Sequence, residues 1–272
     1  MSVFDDFDDI FRGSPEPTDD IEFSTDTYHR RVVILLIDVS GSMRFAEQGT
    51  RPIDELNRSM RAWLPEIRKQ GEGPLRAVEF AVVTFGGDGV RAVTGDPRRA
   101  EAELAQDGGA FVPAADLDFG DLTASGTTPM VEALEFALRL GDRRVQHLAD
   151  QHGLQTGQVR LILFSDGEPN DELPADAWRS VADLIGARRR QRRLLFLAFG
   201  APGADEEMLR TLATDRGYIP LTDLDFAGLL DLVLVATSAE DPYTAVWEQA
   251  HWDPDEAAPE DGPAGPQPDD RP

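Results

Sequence analysis

The chain of 272 residues contains no cysteine, which excludes disulfides, thiolate metal ligands and cysteine nucleophiles. A chain without disulfides suits the cytosol. No apolar run approaches the roughly 18 residues that a membrane span requires, and the acidic start from Met1 to Asp9 lacks the basic and apolar regions of a signal peptide. These absences predict a soluble, cytoplasmic protein. No Gly-Lys-Ser or Gly-Lys-Thr follows a glycine-rich turn, so there is no P-loop. Bases are scarce as well, 26 against 51 acids, for a formal net charge of −25. Residues 1–27 hold nine acids and one Arg, and residues 240–272 hold ten acids and one Arg, which leaves 32 acids and 24 bases between them. The middle of the chain is therefore only mildly acidic, while the whole should repel nucleic acid and anionic membrane.

The apolar run Val32-Val33-Ile34-Leu35-Leu36-Ile37 leads into Asp38-Val39-Ser40-Gly41-Ser42-Met43. So continuous a run suits a strand buried on both faces, as in a parallel sheet covered by helices. Beyond it, Asp38, Ser40 and Ser42 repeat with period two, and Gly41 lets the backbone turn. One carboxylate and two hydroxyls make an incomplete shell for a hard cation such as Mg2+, which takes oxygen ligands and keeps several waters. Two later segments can supply more oxygens: Ser125-Gly126-Thr127-Thr128-Pro129, just before an apolar-periodic helix, and Leu161-Ile162-Leu163-Phe164-Ser165-Asp166-Gly167, a second apolar strand ending in an acid.

The rest of the pattern alternates strand and helix. Pro52 opens a helix whose apolar face is Ile53, Leu56, Met60, Trp63, Leu64 and Ile67. A strand over 77–85 turns at Gly86-Gly87-Asp88-Gly89 into a return strand near 90–94, an edge hairpin. Ala110 to Pro113 reads as a short strand within an otherwise irregular stretch over 95–127. Helices over 131–149, 175–193, 205–213 and 226–238 alternate with strands over 159–164, 194–199 and 218–221. The expected fold is α/β, a doubly wound and mostly parallel sheet flanked by helices with one antiparallel edge strand. In such sheets ligands bind beyond the carboxyl ends of the strands, where the three oxygen-bearing segments should converge.

These segments resemble the von Willebrand factor A domain and its metal-ion-dependent adhesion site. That site reads Asp-x-Ser-x-Ser, then a Thr in a separate loop, then an Asp after a later strand. The match falls on Asp38, Ser40, Ser42, Thr128 and Asp166. Thr127 competes for the third position; Thr128 is preferred because Thr-Pro-Met followed by Ala133-Leu134 resembles the family's spacing. The resemblance implies that the hydroxyls touch the metal, that the two acids often act through water, and that an open position takes an acidic group from a protein partner. Mg2+ is the expected ion, with Mn2+ or Ca2+ as alternatives. Ser-Gly-Ser-Met, the Pro-Ile...Leu-Asn helix start, Ala-Ser-Gly-Thr-Thr and Asp-Gly-Glu-Pro-Asn-Asp over 166–171 resemble the bacterial TerY-like proteins of tellurite resistance and stress response. That likeness implies a cytoplasmic protein acting with a protein kinase or a PP2C-type phosphatase. The loop Arg44 to Arg51 is longer than the TerY-like pattern allows.

Catalytic readings fare less well. A haloacid-dehalogenase-like phosphatase wants a second Asp where Ser40 stands, and a serine hydrolase wants Gly-x-Ser-x-Gly. None of His29, His147, His152 or His251 falls in a loop that the strand order would bring beside such a serine. The expectation is a binding module and not an enzyme, with a metal-dependent hydrolase as the weaker alternative.

Outside the site, Arg188-Arg189-Arg190 with Arg192-Arg193 reads as a solvated helix end, where cations complement the dipole. Trp63 and Trp178 sit at core spacing. Phe4, Phe7, Ile10 and Phe11 recur at helical spacing among acids, so the N-terminal segment reads as a solvated leader or as a short docking helix. The expected organisation is a flexible acidic segment over 1–27, an A domain over 28–239, and a disordered acidic, proline-rich tail over 240–272. A scaffold whose tails bind the partner, with a purely structural metal, is the rival reading.

Overall fold

A computed structural model of the chain describes residues 29–45, 51–87, 89–96, 98–165, 175–201, 204–214, 216–221, 226–239 and 241–250. β1 (His29–Val39) runs through the middle of the sheet, hydrogen-bonded in parallel to β2 (Val78–Gly86) on one side and β6 (Val159–Ser165) on the other. β3 (Gly89–Ala92) returns antiparallel along the outer edge of β2, as the glycine-rich turn predicts. β4 (Val112–Pro113) adds a second short antiparallel ladder to β2, while β5 (Gln155–Thr156) pairs in parallel with the first two residues of β1. Outward from β6, β7 (Leu194–Gly200) and β8 (Tyr218–Pro220) continue in parallel. The order β3-β2-β1-β6-β7-β8 reverses direction between β1 and β6. That reversal opens a crevice at the carboxyl ends of these two strands.

Seven helices cover the sheet among the described residues: α1 (Pro52–Gly71), α2 (Glu101–Leu104), α3 (Met130–His152), α4 (Ala175–Arg190), α5 (Glu206–Ala213), α6 (Phe226–Ser238) and α7 (Pro242–Ala250). Strand alternation sorts β1 between two cores. Val33, Leu35 and Ile37 pack with α1, α6 and α7, whereas Val32, Ile34 and Leu36 pack with α3, α4 and α5. Complete burial of a Leu or Ile contributes about 1.5–3 kcal/mol, so a strand buried on both faces is held by nearly every side chain. The predicted face of α1, Ile53 through Ile67, lies wholly in the first core, and Pro52 stands at its first turn.

Three expectations need correction. The folded part does not stop at 239, because α7 buries Pro242 and Val246 and packs Tyr243, Trp247 and Ala250 on the first core. Those apolar residues recur at helical spacing, a pattern hidden in the sequence by the acids around them. The helix expected to reach Arg193 stops at Arg190, since Arg192 turns left-handed (φ 55°) and the Arg192 and Arg193 amides close back on Arg189 and Arg188. Nor is the arginine cluster simply solvated: Arg188 pairs with Asp142 of α3 at 2.7 Å, and Arg189 donates to the Ala213 carbonyl and lies over the Tyr243 ring. The N-terminal segment with Phe4, Phe7, Ile10 and Phe11, and residues 251–272, lie outside the described residues. No helix among the described residues is long and apolar enough to cross a membrane.

Candidate metal centre

Asp38 continues the β1 face of Val32, Ile34 and Leu36, and Ser165 continues the β6 face of Leu161 and Leu163. Adjacent strands thus present both side chains on one side of the sheet, at its carboxyl edge. Ser165 Oγ donates to Asp38 Oδ2 at 3.0 Å, and the Ser40 amide donates to Asp38 Oδ1 at 2.8 Å. The second bond folds the chain into a tight turn, so that Ser40 Oγ and Ser42 Oγ lie 2.9 Å apart. Ser40 and Asp38 are buried, and Ser42 is exposed on the rim.

The loop bearing Thr128 is fastened to this turn by backbone. The Ser125 amide donates to the Val39 carbonyl at 2.9 Å, the Gly41 amide to the Gly126 carbonyl at 3.0 Å, and the Gly87 amide to the Ser125 carbonyl. So close an approach requires glycine at 126: its φ is 67°, and a Cβ there would stand 2.2 Å from the Gly87 Cα. Farther back, Asn57 on α1 grips the same irregular stretch. Its Nδ2 donates to the Leu122 carbonyl at 2.9 Å and its Oδ1 accepts from the Leu122 amide at 2.7 Å. Arg68 Nε adds a bond to the Leu117 carbonyl at 2.7 Å. Thr128 is buried and Thr127 exposed.

Of the five residues singled out by sequence, the structure gathers Asp38, Ser40 and Ser42 in one hydrogen-bonded turn and ties the Thr128 segment to it. Asp166, with Glu168 and Asp171 beyond it, lies outside the described residues, as do residues 46–50 of the long loop after the turn. Ser165, Asn57 and the exposed aromatic Phe45 (73% exposed) are additions that sequence reasoning passed over. An Asn on an otherwise apolar helix face was the signal for Asn57, because a buried amide needs partners.

Burial pushes the Asp38 carboxyl above the ordinary range, and the donors Ser40 and Ser165 only partly offset it. No ion pair among the described residues involves Asp38. A buried carboxylate met only by neutral donors is costly to ionise. Each of its oxygens keeps lone-pair capacity beyond the one bond it accepts. The donor set fits a small, hard, oxygen-seeking cation, whose charge would offset the burial cost.

A von Willebrand factor type A domain model matches residues 33–233. Among curated proteins, none matches the chain in sequence. The fold is similar to that of proximal thread matrix protein 1 from the mussel byssus, at 19% identity and a TM-score of 0.47, covering 76% of this chain and 47% of that one. It is also similar to the pilus adhesin SpaC of Lactobacillus rhamnosus GG, at 17% identity and a TM-score of 0.46, over 80% and 31% of the two chains. The SpRpn10 VWA domain matches at 12% identity and a TM-score of 0.44, over 75% of this chain and 95% of that domain. The chain thus spans less than half the length of the first two of these structures.

Proposed function

Since the chain belongs to the von Willebrand factor type A domain family, we propose that it is a metal-ion-dependent protein-binding module. Asp38, Ser40, Ser42, Thr128 and Asp166 would hold Mg2+, or Mn2+ or Ca2+ in its place. When bound, the ion supplies a concentrated positive charge with an open position for an Asp or Glu carboxylate of the partner. The observation that carries this reading is the buried Asp38 carboxylate, hydrogen-bonded by Ser40 and Ser165 and lacking a cationic neighbour among the described residues.

The chain's own groups prepare the surface. Asp38 fixes the turn through the Ser40 amide, and the backbone bonds from Ser125 and to Gly126 hold the Thr128 loop against it. Phe45, largely exposed three residues beyond Ser42, offers an apolar contact beside an incoming carboxylate. Binding rather than catalysis is the reading, because the described part of the site offers Asp38 and hydroxyls, the donor set of a hard-cation site. The TerY-like motifs extend the proposal to a bacterial, cytoplasmic stress or tellurium-resistance system with an associated kinase or PP2C-type phosphatase.

Affinity capture from native lysate tests it, using wild type and a Ser40→Ala/Ser42→Ala variant, each in Mg2+ or EDTA after both are shown to be folded. A partner lost in the EDTA and variant arms is the expected result. A partner retained in every arm would overturn it. The acid-rich ends favour one second reading, a scaffold in which residues 1–27 or 240–272 bind the partner. Truncating them would then abolish capture with metal binding intact.

A further inference from the structure

At the other edge of the sheet, three potential ligands meet that the proposed protein-binding role does not use. α3 begins at Met130, just after Thr128, and His147 lies 17 residues along it, about 25 Å away at helical rise. His152 is the last residue of the same helix, held in place by Gly153 (φ 64°), whose amide donates to the Ala149 carbonyl at 3.1 Å. Asp107, in the segment after α2, faces both rings: Oδ2 is 2.7 Å from His152 Nε2, and Oδ1 is 3.4 Å from His147 Nε2. The three ligand atoms lie within 4.8 Å of one another.

A His-carboxylate hydrogen bond accounts for His152 but not for His147. Its buried Nε2 stands 3.4 Å from Asp107 Oδ1, and among the described residues it has no partner at good hydrogen-bond geometry. A buried ring nitrogen left unsatisfied beside a carboxylate and a second imidazole calls for a ligand. Charge agrees. Arg144 donates to Glu79 through Nε at 2.6 Å and Nη2 at 2.8 Å, and to Asp107 Oδ1 through Nη1 at 3.0 Å. Glu79 balances Arg144, so with neutral imidazoles the cluster carries one uncompensated negative charge, that of Asp107. Arg144 also orients the Asp107 carboxylate, through Oδ1, the oxygen that faces His147, as outer partners of metal-binding carboxylates do.

We propose that Asp107, His147 and His152 form a transition-metal site of the Zn2+ class, separate from the Mg2+ site at the opposite edge. Two imidazole nitrogens and one carboxylate oxygen suit Zn2+ better than Mg2+, with a fourth position left to water. Ligand bonds of about 2.0–2.2 Å require the ligand atoms to stand about 3.4 Å apart in a tetrahedral shell. His147 and Asp107 already do, and His152, 42% exposed at a helix end, has room to move outward.

Calorimetric titration of the full chain with ZnCl2 in excess Mg2+ tests this, followed by melting curves with and without Zn2+. Expected are one Zn2+ per wild-type chain, a raised Tm, and the same behaviour in Ser40→Ala/Ser42→Ala. His152→Ala should lose no more than a few degrees of Tm without Zn2+ and bind it at least about 100-fold more weakly, the upper figure for losing a mere outer partner. Asp107→Asn should lose the Zn2+-induced rise in Tm. Absence of Zn2+ uptake by wild type, uptake unchanged in His152→Ala, or uptake lost only in Ser40→Ala/Ser42→Ala would each overturn the proposal. Partner capture is read separately, so the two sites can fail independently.

Discussion

Two carboxylates at opposite ends of one sheet live in opposite circumstances. Asp38, at the carboxyl ends of the strands, is fully buried and, among the described residues, receives only neutral donors, and burial raises its proton affinity. Asp107, at the other end, is 56% exposed beside Arg144, His147 and His152. Burial opposes its ionisation too, but His152, Arg144 and the nearby His147 outweigh that and hold it down at about 2. The difference teaches how the protein assigns charge. Asp107 is hydrogen-bonded by Arg144 and His152 and is ionised, whereas among the described residues Asp38 meets only hydroxyl and amide donors.

The comparison can be broken most forcefully at Glu79. The Arg144 and Glu79 side chains are both 6% exposed, and removing one partner strands the other in the core. Glu79→Ala should cost about 3–5 kcal/mol in urea unfolding, whereas Glu79→Leu/Arg144→Met should cost far less, because a buried pair exchanged for apolar residues is often near neutral. Equal losses in both variants would show that packing at these positions, and not the charge pair, is what matters.

A smaller effect is expected at the other end of the sheet, from Asn57. Asn57→Ala leaves the Leu122 amide and carbonyl without their partner, at about 2–3 kcal/mol for two buried groups. Because Asn57 steadies the segment leading to Thr128, the variant should also weaken Mg2+-dependent partner capture while leaving Zn2+ uptake unchanged. Loss of both activities would mean that the two ends are not independent.

The smallest effect is on acid stability. A depressed folded value means that the Asp107 contribution is fully present above the ordinary carboxyl value of 3.8 and is lost as pH falls toward about 2. In EDTA, Asp107→Asn should therefore be less stable than wild type at neutral pH and converge with it below pH 3. The gap should not exceed about 0.5–1 kcal/mol, because solvent screens a half-exposed group. A gap that widens in acid would reverse the sign and refute the assignment.

Part of the candidate site was legible before folding was considered. Asp38, Ser40 and Ser42 stand in one short run after a strand, so their proximity follows from local geometry. Thr128 was legible only by resemblance, and what fastens its loop is long-range: Gly126 against Gly87, and Asn57 on Leu122 some 65 positions away. Asp107, His147 and His152 were invisible as a group. A ligand set drawn from a loop and a distant helix end has no spacing that a sequence can display, although Glu79 amid the apolar residues of β2 marked the neighbourhood of its buried partner.

The sequence by itself determined the alternation of strands and helices and the burial of β1 on both faces. It also set the oxygen-rich turn at the end of β1, since each depends on side-chain period within a few residues. Tertiary structure alone decided that α7 belongs to the core, that the arginine cluster packs on α3, α5 and α7, and that Asp107 meets Arg144 while Asp38, among the described residues, meets only neutral donors. Charge neutralisation is a property of which segments pack together, and a linear pattern fixes the segments without fixing their neighbours.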